Sequence, residues 1–118
     1  MGKRSRRRAE TVKAPESEYR STDGDVLVLR GALTARTRRQ YHDVLHGNVL
    51  SQEDAWQRAV EFLFERLAVR WEIAGAEPIT RQQQMLARYR FASQDERRWI
   101  RDVLREHLAE WFPDVAPP

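Results

Sequence analysis

Residues 26–34 read Val-Leu-Val-Leu-Arg-Gly-Ala-Leu-Thr. Four apolar residues, two of them β-branched, stand between Asp23-Gly24 and Gly31. Such a run bounded by turn residues is a strand signal. Thr34 follows at once, and its hydroxyl can accept from the free amides at a helix start. The stretch therefore predicts that order begins with a strand and passes directly into a helix.

Downstream, the pattern is helical. Tyr41, Val44 and Leu45 form one apolar face, and Gly47-Asn48 reads as a left-handed helix stop. Ser51 starts a second helix, with Asp54 as a shortened capping box. Trp56, Val60, Leu63, Phe64 and Leu67 recur at helical spacing. Phe62 lies off that stripe, which marks a central helix with two apolar sides. Residues 69–73, Val-Arg-Trp-Glu-Ile, alternate and then meet Gly75 and Pro78, predicting a second strand paired with residues 26–29. Thr80 with Gln83 announces a third helix carrying Met85, Leu86 and Tyr89. Ser93-x-x-Glu96 is a full capping box for the last helix. Its stripe is Ile100, Val103, Leu104, His107, Leu108 and Trp111, and Pro113 ends it. The expected fold is mainly α: about four helices with a minor two-stranded β element in one helical domain, residues 25–113. Residues 114–118 read as a loose tail.

The charge is unevenly spread. Of the net +3, the first thirteen residues carry +5, from Lys3, Arg4, Arg6, Arg7, Arg8 and Lys13 against Glu10, and the other 105 carry −2. The basic pI of about 9.8 thus describes an arm rather than a folded basic surface. Residues 1–24 hold almost no large apolar group, so burial cannot offset their ordering entropy, and a disordered basic arm is expected. There is no cysteine, which excludes disulfides, thiolate metal sites and a cysteine nucleophile. No apolar run approaches the roughly 18 residues of a membrane span. The basic start is not followed by the apolar core of a secretory signal. These readings predict a soluble, cytoplasmic protein with no membrane contact.

Catalytic patterns are sparse. His42-Asp43-Val44-Leu45-His46 puts two histidines on one helical face, but Asp stands where zinc peptidases carry Glu and no third histidine follows. No metal is expected. Ser51 and Ser93 have capping roles, and neither a G-x-S-x-G elbow nor a glycine-rich phosphate loop exists. The carboxylates read as ion-paired faces, as in Glu61–Arg66 and Asp102–Arg105. No enzyme activity and no cofactor are predicted. Two binding readings remain. Trp71 and Trp111, with neighbouring Phe112 and Tyr89, are candidate protein contacts, since Trp and Tyr dominate interface hot spots. A small sheet also leaves edges that accept another strand. The alternative is nucleic acid held by Lys3, Arg4, Arg6, Arg7 and Arg8 with Arg36, Arg38 and Arg39 of the first helix. The two aromatics near Arg90, Tyr89 and Phe91, read as core rather than stacking platforms.

The order Val-Leu-Arg-Gly-x-Leu-Thr at 28–34, an arginine-rich helix, a helix running into Leu67-Ala-Val-Arg-Trp-Glu-Ile, and a closing helical pair begun by Pro and Thr resembles the small tail assembly chaperones of tailed phages and prophages. The resemblance covers about residues 26–112. It implies no catalytic residues and a role in binding the tape measure protein before tail polymerisation. The expected function is a non-enzymatic protein-interaction or assembly factor whose partner is a helix or strand of another protein.

Overall fold

The computed structural model describes residues 15–47 and 51–118. Its elements are β1 (Glu16–Arg20), β2 (Val26–Arg30), α1 (Ala35–His46), α2 (Gln52–Leu67), β3 (Ala68–Glu72), α3 (Gln82–Arg90) and α4 (Gln94–Trp111). The strands form one antiparallel sheet in the order β1-β2-β3. The fold is therefore α+β, four helices with a three-stranded sheet, and the expectation of a mainly α domain with a minor two-stranded element is wrong by one strand.

The extra strand lies inside the segment expected to be a disordered arm. Glu16-Ser17-Glu18-Tyr19-Arg20 alternates, but with only one large apolar residue it offers little hydrophobic signal. It is ordered by its five-residue pairing with β2 and by polar anchors on α4. The remaining arm residues, 1–14, lie outside the described residues, as does Asn48 of the expected helix stop.

A third strand explains the run that begins the ordered chain. Leu27 and Leu29 are fully buried, and Val26 and Val28 are buried too. A half-covered strand would alternate, whereas one buried on both faces reads as continuous apolar sequence. On the outer face the register sets Glu18 and Arg70 on either side of Val28, and Arg20 and Glu72 on either side of Val26. These charges form a short network: Arg20–Glu18 at 2.8 Å along β1, Arg70–Glu72 at 3.2 Å along β3, and Arg70–Glu18 at 3.7 Å across β2. Exposed pairs of this kind contribute little Coulomb energy. Their stems, though, can cover apolar surface while the charged ends stay wet. Buried Asp25 accepts from the Ala74 amide at 3.0 Å, tying the entry of β2 to the exit of β3.

Helix starts follow the expected caps in three of four cases. Thr34 accepts from Thr37, Ser51 accepts from Asp54, and Ser93–Glu96 form the reciprocal box. Thr80 does not cap α3, which starts after Arg81 with no side-chain cap. The cause is Ile79, which exchanges backbone hydrogen bonds of 2.8 and 2.9 Å with Trp71 and so holds this stretch extended. Gly47 ends α1 with φ −97°, not in the left-handed conformation.

Helix α2 passes into β3 without a loop, Ala68 being both helix cap and first strand residue. Between helices and sheet lie Leu63, Phe64, Leu67, Trp71, Met85, Ile100, Leu104 and Leu108, all fully buried. The expected loose tail is also held. The Tyr41 hydroxyl donates to the Ala116 carbonyl, and Arg105 donates twice to the Pro118 carbonyl at 2.9 and 3.0 Å.

Gly31 sits where β2 leaves the sheet beside the start of β1. A Cβ there would lie 3.0 Å from Pro15 Cγ and 3.1 Å from Trp111 Cε3. Gly31→Ala is expected to destabilise the protein by about 1–3 kcal/mol through overpacking. A denaturant midpoint equal to that of the unaltered protein would show that β1 does not pack there.

Candidate functional site

The aromatic contact set of the sequence does not form a surface. Trp71 is fully buried, Phe112 is 2% exposed and Tyr89 8%. Trp71 faces inward opposite Leu27, edge-on to Phe64 at 5.5 Å, with the Arg88 guanidinium 5.4 Å from its ring. Its indole nitrogen is buried without a hydrogen-bond partner among the described residues. Alternation in 69–73 identified the strand but not which face the core would take. Phe112 packs 5.9 Å from the His107 ring and beneath Arg38 at 5.3 Å. Only Trp111 of the four is half-buried.

Trp111 has a different task, with His107, in securing β1. Its Nε1 donates to the Ser17 hydroxyl at 2.9 Å. Fully buried His107 lies 2.8 Å from both the Tyr19 hydroxyl and the Arg30 carbonyl. A carbonyl only accepts, so Nε2 carries the ring proton. Nδ1 of the neutral ring is then an acceptor, and Tyr19 donates to it. Burial holds the His107 pKa below its ordinary value, against the Arg30 carbonyl and the charge of Glu110, which favour the proton.

The basic candidates divide. Lys3, Arg4, Arg6, Arg7 and Arg8 lie outside the described residues. Arg36, Arg38 and Arg39 are exposed on α1, with Arg38 lying over Phe112. His42 and His46 are also exposed, their rings 4.7 Å apart, and among the described residues no group of three possible ligands forms. Glu61 pairs with Arg90 at 2.9 Å rather than with Arg66, which lies over Phe62 at 4.9 Å. Five positions apart on α2, Glu61 and Arg66 do not share a helical face.

Two other aromatics take the surface. Phe91 is 87% exposed and Trp56 40%. The sequence reading put both in the core. Near the start of α2, however, the inward positions are Ala55 and Ala59, small residues that a stripe of large side chains passes over. At the end of α3, Ala92 takes the buried position and Phe91 turns outward. Trp56 and Val60 of α2, Tyr89 of α3 and Arg97, Arg98 and Arg101 of α4 line a groove of about 420 Å³. Arg97 joins this groove to Phe91: its guanidinium lies 5.9 Å from the Tyr89 ring and donates to the Arg90 carbonyl at 2.6 Å. Glu53 lines the α2 side.

No helix among the described residues is long and apolar enough to cross a membrane. No family model, curated protein or solved structure matches the chain.

The buried histidine gives a pH dependence. Its pKa is lower folded than unfolded, so below about pH 6.5 the unfolded chain binds a proton that the native one refuses. His107 therefore contributes stability that is present above about pH 6.5 and declines as pH falls toward the folded value. Chemical denaturation at pH 7.5 and 5.5 is expected to show lower stability at the acid value. His107→Leu is expected to flatten that slope while lowering stability at both. An unchanged slope in the variant would refute the assignment.

Proposed function

We propose that this chain is a non-enzymatic protein-interaction factor, acting in the cytoplasm, that seats an amphipathic helix of a partner on the Trp56–Phe91 surface. The observation that carries the reading is Phe91, a phenylalanine left 87% exposed on an ordered turn. Covering such a side chain contributes about 1.5–3 kcal/mol. Beside it, Trp56 and the Tyr89-lined groove supply a second anchor, and Arg97, Arg98 and Arg101 form a basic rim. The partner helix is apolar on one face and acidic along its flank, since rim charges give register and on-rate more than affinity. The resemblance to tail assembly chaperones supports the same class of role, with an elongated scaffold protein as partner.

A photo-crosslinking residue in place of Phe91, used in the native host, is expected to give one discrete adduct. Its peptide, read by mass spectrometry, should be amphipathic and acid-flanked. The same probe at exposed Glu77 should give none. Adding Trp56→Ala should weaken capture at least tenfold, a loss of ~1.4 kcal/mol or more. Equal adducts at both positions, or none at 91, would refute the surface.

The rival reading, nucleic acid held by the arm, is supported by the +5 carried on residues 1–13. It predicts that deleting those residues abolishes a salt-sensitive mobility shift. Intact binding by the shortened protein would eliminate it.

A further inference from the structure

The two edges of the sheet are unequal. On β3, the Trp71 backbone points away from β2 and is satisfied by Ile79, in both directions, at 2.8 and 2.9 Å. That edge is covered at its centre. On β1 the hydrogen-bond phase follows from its two ends. Gly31 donates to the Pro15 carbonyl at 2.7 Å, and Ser21 donates to the Asp25 carbonyl at 2.9 Å. Antiparallel strands alternate, so Pro15, Ser17, Tyr19 and Ser21 direct their backbone groups to β2. Glu16, Glu18 and Arg20 direct theirs outward. Among the described residues nothing accepts from or donates to these outward groups.

An edge of this kind is a template for another strand. We infer that the outer edge of β1 pairs with β1 of a second copy of this chain, antiparallel about a two-fold axis at Tyr19. Charge chooses the occupant and the register. Outward groups must meet outward groups, which leaves few alignments of Glu16, Glu18 and Arg20. Centred on Glu18, the pairing sets Glu18 against its own copy. Centred on Tyr19, it sets Glu18 opposite Arg20 twice, with no like charges directly opposed. Opposite charges directly across a pair stabilise it and like charges destabilise it. Two copies then share one six-stranded sheet, with each β3 at an outer edge under its own Ile79. Contact between two five-residue edges covers less than the roughly 1,000 Å² of a stable interface, so the dimer is weak and concentration-dependent.

The test reads mass and amide protection together on the full chain. Raising protein from about 5 μM to about 500 μM, a span suited to a mass-action equilibrium, is expected to move the sedimentation mass from one chain toward two. Over the same range the Glu18 and Arg20 amides should gain hydrogen-exchange protection, while the Ser17 and Tyr19 amides stay protected throughout. Protection of Glu18 and Arg20 that does not vary with concentration would mean the chain's own residues 1–14 occupy the edge, and would overturn the proposal. So would a single-chain mass at every concentration. Glu18→Pro removes an outward amide, which edge strands tolerate, and should abolish association with little change in circular dichroism. Glu18→Arg and Arg20→Glu should each weaken association at least tenfold, and the double variant should restore it. A double variant no better than the singles would refute the register.

Discussion

Strand β2 is hydrogen-bonded along both sides and buried on both faces, and most of the molecule is arranged to satisfy that one requirement. Its backbone groups need partners, because a buried unpaired amide or carbonyl is costly. β1 and β3 supply them. Its inward leucines need cover, which α2 and α4 provide. Its outward valines are flanked on β1 and β3 by charged residues, Glu18 and Arg70 beside Val28 and Arg20 and Glu72 beside Val26. β1 could not serve on hydrophobicity alone, so two polar contacts hold it in place, Tyr19 on His107 and Ser17 on Trp111, while the Arg30 carbonyl of β2 fixes the His107 ring. The C-terminal half of α4 therefore does two jobs, filling the core with Leu104 and Leu108 and anchoring the chain's first strand.

Much of this was legible in the residues, and what was missed has physical causes. Capping boxes and large apolar stripes placed α1, α2 and α4, because each depends on neighbours three or four residues away. β1 was missed because it carries one large apolar residue, and the side-chain anchors that make up for this are remote: Ser17 and Trp111 stand 94 positions apart. The four-residue apolar run at 26–29 did hold a clue, since a strand continuous in apolar residues needs cover on both faces. Thr80 failed as a cap because a tertiary pairing, Trp71 with Ile79, claimed the backbone first. The contact residues failed for a related reason. Tryptophan was read as surface where it filled the core, at position 71, and as core where alanines had taken the inward sites, at position 56.

The candidate surfaces that emerge are modest, one aromatic with a basic rim and one a charged strand edge, and the described residues carry a slight net negative charge. Phe91 and Trp56 lie on the helical side. The open edge of β1 lies at the far side of the sheet from β3. The buried histidine is committed to two structural hydrogen bonds, and the exposed pair on α1 has no third ligand among the described residues. Exposure, rather than residue type, is what separates the aromatics that can meet a partner from those that cannot.

The direct passage from α2 into β3 has a mechanical consequence. Sixteen helical residues rise about 24 Å, and they end in a strand with no intervening loop to absorb displacement. Trp56 stands near the N-terminal end of this rod, while its other end is bonded into the sheet beside β2. A displacement of α2 along its axis therefore meets β3 with no slack between them, and the groove at Trp56 and the sheet lie at the two ends of one continuous element.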